Sequence, residues 1–266
     1  MGRALVERLF ADGHERICIY SRGEYAQHRM RTEFHDDPRL RWFIGDVRDV
    51  DRLERAMESV DCVIHAAALK RIEVGSMNPD EMKKTNIDGS QNVIEAARRA
   101  GVWKVLLVSS DKAFEPVSPY GLSKAYAESL FLTAGNISPH GPLFGVVRYG
   151  NVWNSTGSLV PTWRSVLERS DVVPVTNPDA TRFFMWREEA AKLVIDTLSA
   201  MRGGETVIPM LPAYRVGDLA EAMGAKMDVR GLPAFEKLHE SMDAGKSSDK
   251  AKRMSVHELR DALVRT

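Results

Sequence analysis

Short apolar runs alternate with amphipathic stretches along this chain, and that alternation limits its fold more than any other feature. Residues 16–21 (RICIYS), 40–44 (LRWFI), 62–65 (CVIH), 104–109 (KVLLVS) and 143–148 (LFGVVR) read as strands. Between them, 49–59, 78–100 and 119–134 carry apolar residues at helical spacing. Strands alternating with helices build βαβ units and a parallel sheet covered on both faces. The right-handed crossover rule then favours an α/β, Rossmann-like doubly wound sheet. Beyond Tyr149 the regularity weakens, and Pro161, Pro174, Pro178, Pro209, Pro212 and Pro233 break the chain into shorter elements. We expect a nucleotide-binding body over 1–150 and a smaller substrate lobe over 151–266, with a helix at 187–201 returning to the body. Residues 247–252 read as a polar, mobile stretch, and 255–264 as a closing amphipathic helix.

Residues 1–10 read at once as a helix. A Rossmann body places a buried strand and a glycine-rich turn before that helix, where backbone N–H groups bind a pyrophosphate. Neither is present, and Gly2 reads as the last glycine of such a turn, packed tightly between helix and sheet. A late start is the expectation, in preference to a natural fold without its first strand, because removing a central strand leaves unpaired edges.

The 37 Lys and Arg residues balance 37 Asp and Glu among 266 residues. That balance argues against nucleic acid or an anionic membrane as the main partner, since both select a basic excess. No apolar run reaches the roughly 20 residues of a membrane span, and the first residues lack a secretory signal pattern. These features predict a soluble, cytoplasmic protein. Cys18 and Cys62 read as small core residues of strands, and no Cys/His spacing predicts a metal site.

Chemistry concentrates in one segment. Ser109-Ser110-Asp111-Lys112 ends a strongly apolar strand, at the sheet edge where open α/β folds bind ligands. Ser118 can cap the next helix and Pro119 suits its first position, so Tyr120 and Lys124 project from one face. An ammonium beside a phenol favours the phenolate, which predicts a Tyr120 pKa lowered by Lys124. A bare Tyr-x-x-x-Lys also arises by chance on surface helices, and Asp111–Lys112 also reads as a plain ion pair.

The segment SSDKAFEPVSPYGLSKAYAE resembles the active-site region of extended short-chain dehydrogenase/reductases. More closely, it is similar to the UDP-N-acetylglucosamine 4,6-dehydratase (inverting) branch of the polysaccharide-biosynthesis family. HAAALKRIEVGSMNPDEMKKTNIDGSQNVIEAA, VVRYGNVWNSTGSLVP and ATRFFMW carry the same likeness, which spans nearly the whole chain. The resemblance implies a homo-oligomeric enzyme acting on a UDP-sugar. In it Tyr120 is the base for C4–OH oxidation, and Lys124 tunes Tyr120 and holds the cofactor ribose. Lys112, as a neutral amine, takes the C5 proton, Asp111 protonates the departing C6 hydroxyl, and Ser110 orients the C4 oxygen. A 4-epimerase and an inactive truncated homologue are the alternatives.

Ser21-Arg22 follows the strand at which Rossmann enzymes select their cofactor, and an arginine there accommodates a 2′-phosphate, so NADP is expected over NAD. The resemblance places Asp46 and Val47 against adenine, Lys70 close to cofactor and substrate, and Asn86 as a brace of the active-site backbone. Ala66, Ala67 and Ala68 permit close approach of a cofactor, while His65 reads as a core histidine. Asn151, Ser158 and Arg182 are the expected substrate contacts, with Arg182 as a structural ion-pair partner the alternative. FEKLHE, containing Glu236, is similar to a family stretch that binds the nucleotide end. Leu232 stands where that stretch has an arginine and Phe235 where it has a glycine, with Arg230 able to compensate.

Overall fold

The structure, a computed structural model, describes residues 1–137 and 140–265. Its strands are β1 (Ile17–Ser21), β2 (Leu40–Ile44), β3 (Cys62–His65), β4 (Lys104–Val108), β5 (Leu143–Val147), β6 (Val172–Val175), β7 (Thr181–Phe183), β8 (Thr206–Val207), β9 (Ala213–Arg215), β10 (Lys226–Val229), β11 (Ser241–Asp243) and β12 (Lys246–Ser247). Its α-helices are α1 (Gly2–Ala11), α2 (Glu24–Glu33), α3 (Val50–Ala56), α4 (Ile72–Met77), α5 (Pro79–Met82), α6 (Gly89–Arg99), α7 (Pro119–Ile137), α8 (Leu159–Leu167), α9 (Arg187–Ala200), α10 (Val216–Ala222) and α11 (Val256–Val264). The parallel strands are ordered β3-β4-β5-β8 in one sheet, and β1 and β2 pair separately, also in parallel.

β4 lies inside the sheet, and its apolar run is explained by burial on both faces. Val105 and Leu107 pack on one side with Val93, Ala97, Phe131 and Phe144, which belong to α6, α7 and β5. Leu106 points to the other side, into a cluster with Ala4 and Leu5 of α1 and Val194 and Leu198 of α9. A second core holds Trp153, Trp163, Val173, Phe184, Tyr214 and Leu259, with Trp153 and Phe184 rings 4.9 Å apart. Two smaller sheets, β6–β10 and β7–β9, accompany this core.

Three expectations are corrected. Cys62 is exposed, because β3 is the edge strand of its sheet; Cys18 is only partly buried. A Cβ added to Gly2 meets nothing within 4 Å, so tight packing does not demand a glycine there. The 247–252 segment is fastened: β12 pairs with β11, and the buried Ser248 hydroxyl bonds the Thr181 hydroxyl at 2.6 Å and accepts from the Glu240 amide at 2.9 Å. No described helix is long and apolar enough to cross a membrane.

Candidate active site

Strand β4 delivers Ser110, Asp111 and Lys112 into a single helical turn, Asp111–Ala113, at its carboxyl end. Ser118 caps α7 as its sequence position predicts, accepting from the Gly121 amide at 3.1 Å. Gly121 lies so near the catalytic turn that an added Cβ would stand 2.3 Å from the Lys112 carbonyl oxygen, so any side chain there forces the helix away. One turn on, Lys124 donates from Nζ to the Val108 carbonyl at 2.7 Å. The helix bearing Tyr120 is thus held to the strand bearing Asp111.

Asp111 is 1% exposed. Its Oδ1 accepts from the Ser110 hydroxyl at 2.8 Å and from Lys112 Nζ at 3.2 Å. Lys112 Nζ is equally 3.2 Å from Oε1 of Glu240, which is 2% exposed and immediately precedes β11. Burial, reinforced by the Glu240 charge, pushes the Asp111 carboxyl above its usual range, although Lys112 and Ser110 pull the other way. Burial also opposes ionisation of Glu240, but the charges of Lys112, Arg182 and Lys237 outweigh it and hold this carboxyl low. For Lys112, burial would lower the pKa, yet the two carboxylates override it and keep the amine protonated well into alkaline pH. The surroundings therefore favour the ammonium over the neutral amine expected from sequence. The second oxygens, Asp111 Oδ2 and Glu240 Oε2, are buried without a partner, which is rare for acceptors in a folded interior.

Tyr120 is buried, and burial raises its pKa; Lys112 and Ser110 work in the opposite direction without prevailing. Lys124 does not supply the lowering expected of it, because its head is turned onto Val108. Burial instead lowers Lys124 itself to about 8, against the pull of Glu128.

Two buried braces surround this centre. Asn86 lies in a π-helical turn, Lys83–Asp88, a distortion frequent at functional sites. Its Oδ1 accepts from the Leu69 amide at 2.8 Å, and its Nδ2 donates to the Leu69 carbonyl and the Ser123 hydroxyl, both at 2.9 Å. The loop after β3 is thereby tied to α7. Arg148 pairs with Glu128 of α7 and donates to the Met242 carbonyl of β11 at 2.5 Å. His65 is buried, bonded to Ser90 at 3.1 Å and stacked on Phe131; burial first, then the Lys124 charge, drop its pKa to about 3.

Most of the expected cofactor positions follow β1, β2 or β3. Ala66 and Ala67 are exposed just beyond β3, Ala68 is half-buried, and Lys70 is exposed. Arg22 is half-exposed and 3.5 Å from Asp46, which Arg48 already engages at 2.7 Å. Ser21 Oγ accepts from Gln27 at 2.9 Å. Val47 is buried in the core against α6, with its carbonyl accepting from Asn92 at 3.0 Å.

The expected substrate contacts divide into two groups. Asn151 and Ser158 share a cavity of about 10 Å³ with Trp153 and Tyr214, room for roughly one water, and Asn151 Oδ1 and Ser158 Oγ are both buried without a partner. Arg182 pairs with Glu236 and donates to the carbonyls of Thr181 at 2.8 Å and Leu238 at 3.1 Å. The two residues predicted separately therefore hold each other. Arg230 pairs with Asp228 at 2.9 Å and is largely exposed. Sequence reasoning missed Glu240, Gly121, Glu128 and Arg148; the resemblance of FEKLHE was the one available pointer to Glu240. Among the described residues no His, Cys, Asp and Glu cluster could hold a metal ion.

A model of the polysaccharide biosynthesis protein family matches residues 1–259. The UDP-N-acetylglucosamine 4,6-dehydratase (inverting) of Campylobacter jejuni subsp. jejuni serotype O:2 is 44% identical over 231 residues, covering 85% of this chain and 69% of that protein. A UDP-glucose 4-epimerase of Rickettsia conorii is 34% identical, covering 94% of this chain and 76% of its own. Among solved structures, Pen from Bacillus thuringiensis superposes with a TM-score of 0.94 at 31% identity, covering all of this chain and 95% of that one. A dTDP-glucose 4,6-dehydratase from Streptomyces venezuelae shares the fold, with a TM-score of 0.85 at 21% identity, 99% of this chain and 92% of its own. With its Rossmann-like parallel sheet and its Tyr120–Lys124 helix docked on the end of β4, the chain belongs to the polysaccharide biosynthesis protein family and has the fold of the extended short-chain dehydrogenase/reductases.

Proposed function

We propose that this chain is a nucleotide-sugar 4,6-dehydratase, acting on UDP-N-acetylglucosamine with NADP and inverting C5. The observation that carries the reading is an amine between two buried carboxyl groups, Asp111–Lys112–Glu240, beside the buried pair Tyr120 and Lys124. Elimination of water across C5 and C6 requires an acid and a base acting together. A 4-epimerase needs the tyrosine-dependent oxidation alone.

The residues present fit a nicotinamide dinucleotide. Exposed Ala66 and Ala67 offer backbone without side-chain bulk, and the half-exposed Arg22 guanidinium suits a ribose 2′-phosphate. Lys70, Asp46, Lys124 and Tyr120 would complete the hold. When bound, the nicotinamide supplies a hydride acceptor and later a donor. Tyr120, in the phenolate form that Lys112 and Ser110 favour, takes the proton of the C4 hydroxyl, whose oxygen Ser110 orients. With C4 a ketone, the C5 proton is acidic, and Lys112 removes it in its free-amine form. Asp111, whose protonated form burial favours, gives its proton to the C6 hydroxyl, which leaves as water. With the hydride returned to C6, a proton delivered to the opposite face of C5 gives the inverted product. The Arg182–Glu236 pair and Lys70 would meet the UDP-sugar.

The resemblance further supports a cytoplasmic homo-oligomer, and exposed Leu122 and Tyr126 on α7 support self-association. The relative named as a UDP-glucose 4-epimerase, aligned over 94% of this chain, keeps epimerisation as the second reading. Incubation with NADP and UDP-N-acetylglucosamine separates the readings by product mass. Loss of one water supports the dehydratase; an epimer of unchanged mass supports the alternative. Absence of both NADP binding and product supports a non-catalytic homologue.

A further inference from the structure

Three ionisable groups meet at the end of β4: Asp111, Lys112 and Glu240. Lys112 Nζ is shared evenly, 3.2 Å from Asp111 Oδ1 and 3.2 Å from Glu240 Oε1. Glu240 comes from the C-terminal third of the chain, and its placement is built. Its amide donates to Ser248 Oγ at 2.9 Å, and Arg148, which also grips Glu128 of α7, donates to the Met242 carbonyl two residues on. Arg182 of β7 and Lys237 of the preceding loop face Glu240 as well, while Tyr120 of α7 and Tyr214 of β9 line the cluster. Glu240 Oε2 and Asp111 Oδ2 are both buried without a partner.

With one carboxyl alone, a buried amine and acid neutralise each other as ammonium and carboxylate, in which form neither can act. A second carboxylate changes that. Its charge disfavours ionisation of the first, and it offers the ammonium another place to leave its proton. We propose that Glu240 is a positioning residue that keeps Lys112 and Asp111 from neutralising each other and takes the Lys112 ammonium proton as elimination begins. The proposal rests on the dehydratase reading above. The proton moves from Nζ to Oε1 across the existing contact, leaving a free amine and a neutral Glu240 carboxyl. Lys112 then takes the C5 proton, and Asp111 gives its own to the departing C6 hydroxyl. The cluster ends with one proton fewer on Asp111 and one more on Glu240, while Lys112 is an ammonium again, so protons and charges balance. The unpartnered oxygen Asp111 Oδ2 gives the substrate hydroxyl its seat.

The test compares Glu240→Gln, which keeps shape and loses charge, with Glu240→Asp, which keeps charge and loses reach. Oxidation at C4 is followed by reduced-nicotinamide absorbance, elimination by product mass, and folding by thermal melting. Glu240→Gln is expected to oxidise C4 within about threefold of the wild-type rate yet to eliminate water at least 100-fold more slowly, in keeping with loss of acid–base catalysis. Glu240→Asp is expected to recover at least tenfold of that loss. The wild-type elimination rate is expected to fall as rising pH ionises Asp111, and the residual Glu240→Gln rate to fall at lower pH, where the missing charge no longer disfavours that ionisation. If glutamine serves as well as or better than aspartate, or if wild-type elimination does not fall with rising pH, the proposal is overturned; the pH profile decides even if a variant does not fold. Wild-type protein that yields an epimer and loses no water overturns the dehydratase reading, and this proposal with it.

Discussion

The Lys124 ammonium donates to the Val108 carbonyl at 2.7 Å and pins the helix of Tyr120 to the strand that ends in Asp111. This bond is made by a lysine whose pKa burial has lowered from 10.5 to about 8. The folded state therefore binds fewer protons than the unfolded chain between these two values, and the Lys124 contribution rises with pH across that window. We expect the stability difference between wild type and Lys124→Met to shift toward the wild type by about 3 kcal/mol over that interval. Urea unfolding at neutral pH and near pH 10 measures the shift. A difference independent of pH contradicts the desolvated lysine.

Asp111→Asn and Lys112→Met separate the two halves of the chemistry. Both variants should still oxidise C4, seen as reduced nicotinamide, while elimination falls by about 100-fold or more. Loss of oxidation to the same degree as elimination would remove the acid and base roles assigned to these two residues.

Asn86 satisfies the Leu69 amide, the Leu69 carbonyl and the Ser123 hydroxyl at once. Asn86→Ala leaves buried polar groups without partners, at a cost of about 3 kcal/mol. Chemical denaturation checks the stability, and a cost below about 1 kcal/mol would mean that the loop after β3 is held elsewhere.

Arg148 and Glu128 form a largely buried pair. Arg148→Met strands the Glu128 charge and should destabilise the fold by about 3 kcal/mol, whereas Arg148→Met with Glu128→Met should recover much of that loss. Equal destabilisation by the single and double variants would show that the arginine acts through Met242 alone.

Arg22 is assigned the 2′-phosphate. Arg22→Ala should weaken NADP binding about tenfold and leave NAD binding nearly unchanged, as titration calorimetry can measure. Equal weakening of both cofactors contradicts the assignment.

What the sequence made legible was local. The KVLLV run specifies a strand buried on both faces, and β4 is one; Ser118-Pro119 specifies a helix start, and α7 begins there. The catalytic segment could be found because its parts lie within one strand, one turn and one helix. Its electrostatics could be read only in part, because beside its neighbour Asp111 the Lys112 amine also meets Glu240, which comes from a distant segment just before β11. The two carboxyl groups thus favour the ammonium of Lys112 over the neutral amine expected, and burial, which the helix spacing does not reveal, raises Tyr120 instead of leaving it low. Cys62 misleads because burial of a strand depends on its neighbours in the sheet, which strand composition does not contain.

The central claim is tested most directly by running the wild-type reaction with NADP and UDP-N-acetylglucosamine in deuterated water and locating the deuterium in the product. The account predicts a product one water lighter, with solvent deuterium at C5 and inverted configuration there. A product of unchanged mass, or one that has lost water while keeping its original C5 hydrogen, would contradict it.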